Sequence, residues 1–171
     1  MHKPSHSAPA RKSLSLGAWL VGTALFWPQI GMAEADGPFA PLSGAWRGDG
    51  AATGADGKSE RIACRATNTI SFDKVNLTQS LVCASDSYRF DIRTSVFTDG
   101  HAVRGTWQEA TRNVSGNFSG DMRDGSINGA VTAPGFTATV SIETTGDKER
   151  VTIVPQGSDI AKVEIALNRR G

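Results

Sequence analysis

Cysteine, tyrosine and histidine are scarce in this chain of 171 residues, which holds two Cys, one Tyr and three His. Two thiols without nearby histidine make a poor zinc site. Of the histidines only His101 lies beyond the N-terminal region, so Ser-His-Asp chemistry would depend on it alone. A Gly-x-Ser-x-Gly elbow, a phosphate-binding glycine loop and a His-Glu-x-x-His pair are all missing. Charge of one sign is missing too: 18 basic residues face 17 acidic ones, so nothing draws the whole chain toward nucleic acid. Beyond residue 35 no stretch keeps a 3.6-residue apolar period over ten residues, which excludes a helical framework. These absences predict a non-enzymatic protein with no metal site and no cofactor. The acidic residues fall mostly at expected turns or on the polar face, offering no convergent acid–base pair.

The N-terminus has the order of an export signal. Lys3, Arg11 and Lys12 precede an apolar run from Leu16 to Trp27, and Ala33 and Ala35 satisfy the small-x-small cleavage rule. The run is shorter than the roughly 20 residues a membrane-spanning helix needs. Residues 1–35 are therefore expected to be a signal peptide, leaving Asp36–Gly171 in the periplasm or outside the cell. Removing Lys3, Arg11, Lys12 and Glu34 leaves that mature chain one net negative charge. It suffices for one core and not for two. In an oxidising compartment an even cysteine pair reads as a disulfide.

The strongest pattern runs from Ser59 to Val96. A turn at Asp73-Lys74 sets Ile70 opposite Leu77, Asn68 opposite Gln79, Ala66 opposite Leu81 and Cys64 opposite Cys83, all on one face. Arg61, Arg65 and Thr67 fall on the other face, and a disulfide fits at Cys64–Cys83. Further turns centred at Ser85-Asp86, Asp99-Gly100, Ala110-Thr111, Met122-Arg123, Ala133-Pro134 and Thr145-Gly146 extend the alternation, with a last strand at Val163–Leu167. Residues 36–43, with Pro38 and Pro41, read as a lead-in to a single domain over 44–171. The whole predicts an all-β fold: about ten strands in an antiparallel up-and-down barrel, with a two-sheet sandwich as the alternative. One Tyr and two Trp in the mature chain are too few for the aromatic girdles of an outer-membrane barrel.

Gly44-Ala45-Trp46, at the start of the first strand, resembles the Gly-x-Trp opening of the lipocalins and the wider calycin barrels. The longer run Gly44–Gly50 is similar to the opening of nitrobindin-type haem barrels. The lipocalin resemblance implies that Trp46 closes one barrel end beneath an arginine from near the last strand, for which Arg169 is the matching position. It also implies an interior able to hold a small apolar molecule. Haem is not implied here, because the axial histidine of those barrels lies near the C-terminus and no His follows His101.

Three groups are candidate sites. The turn positions lay Thr94, Gly105, Gly116, Gly129 and Ala138 side by side, a belt of small side chains that either bounds a cavity, is filled by Trp46 or Trp107, or lets the strands coil sharply. Asn68 and Gln79, opposed amides near Tyr88 and Thr94, either bond each other or orient a ligand. On the opposite face, Arg61, Arg65, Arg89, Arg93 and Arg104 form either a solvated surface or a contact for an anionic surface or envelope protein. The expected function is interior binding of a small apolar or amphipathic molecule by a monomer. The alternative is an envelope interaction module with a filled barrel and a working Arg-rich face.

Overall fold

The computed structural model describes residues 37–171; the expected signal peptide, residues 1–35, lies outside them. Ten strands follow in order: β1 Gly44–Gly54, β2 Ser59–Ile70, β3 Asn76–Ala84, β4 Arg89–Asp99, β5 Ala102–Glu109, β6 Val114–Arg123, β7 Ser126–Ala133, β8 Phe136–Thr145, β9 Lys148–Gln156 and β10 Ile160–Arg170. Each pairs with the next, and β10 returns to β1 from Gly54↔Ile160 to Ala45↔Arg170. The sheet is a closed up-and-down barrel, and the closing β1–β10 ladder rules out the sandwich. Closure satisfies the edge strands that would otherwise invite aggregation.

Period-two alternation decides which side chains point inward. Along β2, Ile62, Cys64, Ala66 and Asn68 are buried while Arg61, Cys64's neighbour Arg65 and Thr67 are exposed. Among the described residues the exposed large apolar side chains are Phe72, Val75 and Phe97, far from a lipid-facing band.

The β2–β3 register is the one the cysteines predict, with Cys64 opposite Cys83 and Asn68 opposite Gln79. Cys64 and Cys83 are bonded, their Cα atoms 4.1 Å apart. Every later hairpin is displaced by an even number of residues from the expected centre. Leu81 pairs with Ile92 rather than Phe90, Thr94 with Trp107 rather than Gly105, and Phe118 with Val131 rather than Ile127. The turns settle where glycine supplies positive φ: Gly100, Gly125, Gly135 and Gly146 lie in the two-residue connections. An even slip keeps every side chain on its expected face.

It does scatter the belt of small residues. Gly105 sits between Val96 and Phe118, Gly129 between Gly120 and Val140, and Ala138 between Val131 and Pro155. What these glycines provide is backbone proximity. A Cβ at Gly105 would lie 2.0 Å from the Ser95 carbonyl oxygen, and one at Gly116 would lie 1.8 Å from that of Thr132. Adjacent strands coil too closely there for any side chain.

Candidate functional site

The barrel has a plugged end and an open end. The plug begins in the lead-in, which is more ordered than its prolines suggest: a 3-10 turn at Ala40–Leu42 carries Phe39 and Leu42, both fully buried, under the strands. The Leu42 carbonyl accepts from Trp46 Nε1 at 2.9 Å and from Asn68 Nδ2 at 2.8 Å. Arg169 covers this floor, its guanidinium 4.1 Å from the Trp46 ring centroid. It donates to the carbonyls of Ser43 and, at 2.6 Å, Pro41, and pairs with Asp147 at 3.1 Å. The lead-in thus ties first and last strands together, as the Trp46–Arg169 resemblance implies.

Above the floor lies an interior cavity of about 440 Å³. That volume falls within the range of small-molecule sites. Its wall is mostly aliphatic and aromatic, including Leu81, Ile92, Phe118, Ile142 and Val151. The open end is bounded by Phe90, Arg112, Pro134, Phe136 and Ser158, from the strand ends opposite the floor. Trp107 reaches Phe136 with ring centroids 5.7 Å apart, narrowing the interior without filling it.

Of the expected ligand contacts, Gln79, Thr94 and Trp107 line the cavity. They are consecutive in the register, Gln79 opposite Thr94 and Thr94 opposite Trp107, so they form one polar row at mid-height. The Trp107 indole N–H is buried with no acceptor among the described residues. Trp46, Asn68, Tyr88, Gly105, Gly116 and Gly129 do not line it. Trp46 and Asn68 are drawn into the floor by Leu42, and the Asn68 Oδ1 atom stays buried without a partner, so the two opposed amides do not close on each other. Tyr88 belongs to the β3–β4 connection, stacked on Phe90 at 6.1 Å. The glycines face neighbouring backbone instead of open space.

Two inward carboxylates, Glu109 and Glu149, are exceptions to the expectation that the acidic residues lie mostly at turns or on the outer face. Alternation carried to the strand ends would have found both, since Glu109 shares the parity of Trp107 and Glu149 that of Val151. Glu109, buried at the rim, accepts from the backbone N–H groups of Asp91 and Thr111 and from that of Arg112 at 2.7 Å. Burial pushes its pKa up, but these bonds and that from the Thr111 hydroxyl together outweigh burial and hold it below the ordinary glutamate value. Glu149, near the floor, is 2% exposed; burial raises its pKa to about 7, against smaller opposing effects of the Thr144 hydroxyl and the Arg169 charge. Its Oε1 atom has no partner.

Among the described residues no His, Tyr, Met or free thiol lines the cavity, so their donor set does not fit haem. His101 sits in the β4–β5 turn, its Nδ1 3.1 Å from the Met122 carbonyl. On the outer face, Arg61 pairs with Asp49 at 3.1 Å and Arg93 with Asp91 at 3.7 Å, while Arg65, Arg89 and Arg104 have no ion-pair partner among the described residues.

No protein-family model and no curated protein matches this sequence. Solved structures do resemble it. Rv2717c from M. tuberculosis superposes with a TM-score of 0.60 at 12% identity, over 78% of this chain and 95% of that one. The S-type phycobiliprotein lyase CpeS from Guillardia theta gives 0.54 at 12% identity, over 78% and 90%. A protein of unknown function from the DUF3598 family of Nostoc punctiforme gives 0.55 at 13% identity over 76% of this chain, which spans about half of that protein, 48%. At such identities the likeness is one of fold, and the fold is the calycin-like ten-stranded barrel.

Proposed function

We propose that this protein binds one small amphipathic molecule inside the barrel and acts as a carrier or receptor for it. The observation that carries the reading is the polar row Gln79–Thr94–Trp107 on an otherwise apolar wall. The Gln79 side chain has no hydrogen-bond partner among the described residues, and the buried Trp107 indole N–H has none either. Buried polar groups are seldom left unpaired, each costing roughly 1–3 kcal/mol, so a molecule that supplies an acceptor or donor at mid-height is favoured there. One barrel of this shape is a lyase by name. What favours binding over catalysis here is that Glu109, the acidic group on the cavity wall, is already saturated by donors.

The proposal includes export. A disulfide between neighbouring strands accords with an oxidising compartment, and the 1–35 segment has the layout of a cleaved signal. Native mass spectrometry of protein purified from its host envelope tests both parts. The expected spectrum is that of Asp36–Gly171 with two hydrogens removed, carrying one additional small molecule. An empty barrel in repeated preparations, together with failure to take up an environment-sensitive apolar dye, would contradict the binding reading.

A further inference from the structure

Among the described residues Arg112 is the one cation on the cavity wall, and it sits at the mouth. It lies in the β5–β6 connection, where Asn113 takes positive φ of 53° and the Glu109 carboxylate caps the backbone N–H groups of Thr111 and Arg112. The side chain is held from one side only. Nη1 donates to the Arg89 carbonyl at 3.1 Å and to Thr111 Oγ1 at 3.2 Å, and approaches Glu109 Oε2 at 3.4 Å. The guanidinium also stacks over Phe90, 5.2 Å from its centroid. Nε and Nη2, the other edge of the guanidinium, have no partner among the described residues.

That free edge is a planar two-donor fork, the shape that accepts both oxygens of a carboxylate. The neighbouring negative charge does not cancel it. The Glu109 side chain is 8% exposed and its charge is shared among three backbone N–H groups and a hydroxyl, whereas the Arg112 side chain is 49% exposed at the rim. Phe90 and Phe136 flank the same opening with apolar surface, and below the rim the described residues that line the wall carry no charged side chain. Resting on the binding reading above, we infer that the ligand is an acid: its apolar body enters the barrel and its carboxylate stays at the mouth, bidentate on Nε and Nη2 of Arg112.

Calorimetric titration of the mature protein at pH 8 with dodecanoate and with dodecanol, both below their aggregation limits, tests the assignment. Wild type should bind the acid more tightly than the alcohol. Arg112→Gln should weaken dodecanoate by roughly 10- to 100-fold, the worth of a hydrogen bond to a charged group, and leave dodecanol unchanged. Arg112→Lys, which keeps the charge without the fork, should recover part of the loss, and a matching thermal midpoint shows that the variants fold. Equal binding of acid and alcohol by wild type, or equal weakening of both by Arg112→Gln, would overturn the carboxylate assignment while leaving interior binding intact. Binding of neither molecule would count against the binding reading itself and the assignment with it.

Discussion

Arg169 lies across the face of Trp46, 4.1 Å from its ring centroid, and joins the last strand to the first through the carbonyls of Pro41 and Ser43. The contact spans almost the whole domain in sequence, so it can form only when the barrel closes. Its donors are charged, which makes each bond stronger than a neutral one. Arg169→Lys keeps the charge but cannot cover the ring while forking to two carbonyls. It should lower stability by roughly 1–3 kcal/mol, read from chemical denaturation midpoints.

The disulfide closes a loop with a sequence separation of 19. Replacing Cys64 and Cys83 together by Ala should cost about 3 kcal/mol in the chain-entropy account. Thiol labelling of the unreduced, denatured mature protein should find no free cysteine.

Gly116 tests why the glycines are there. With a Cβ 1.8 Å from the Thr132 carbonyl oxygen, Gly116→Ala and Gly116→Leu should both destabilise, each by about 1–3 kcal/mol or more, because the neighbouring backbone must move. A neutral Ala with a harmful Leu would mean that side-chain volume is what matters.

These outcomes also mark what could be read in advance. Face assignment was legible for the apolar residues, because an even slip of register leaves parity untouched, and Leu81 points inward whether it meets Phe90 or Ile92. Register was legible at Cys64 and Cys83, where the expected Asp73-Lys74 centre gives the observed pairing. Elsewhere it depended on which residue of a turn takes positive φ. Asp99-Gly100 and Gly100-His101 are both reasonable turn pairs, and only the packed barrel selects the second. Hence Gln79, Thr94 and Trp107 were recognisable as inward polar residues, but not as neighbours in one row. Glu149 and the Phe39–Leu42 plug were missed because strand ends and proline-bearing leaders give weak periodic signals.

Glu149 gives the domain a pH dependence. Its pKa is about 7 folded against 4.5 for an ordinary glutamate, so between those values the unfolded chain loses a proton that the folded one keeps. Stability from this group is present in full below pH 4.5 and is lost as pH rises through 7, by an amount on the order of 3 kcal/mol. Glu149→Gln should therefore resemble wild type near pH 4.5 and be more stable at pH 8. Superimposable urea midpoints for the two proteins across pH 5–8 would contradict this.

The central claim is that the interior is an occupied site and not residual space, and fluorescence titration with an apolar dye addresses it directly. Val140 lines the cavity between Gly129 on β7 and Ile153 on β9 and has room before it, so Val140→Phe should put a ring into part of the volume with the fold intact. Saturable one-to-one uptake by wild type, weakened in Val140→Phe at an unchanged thermal midpoint, is the predicted result. No uptake by wild type, or equal uptake by both proteins, would contradict it.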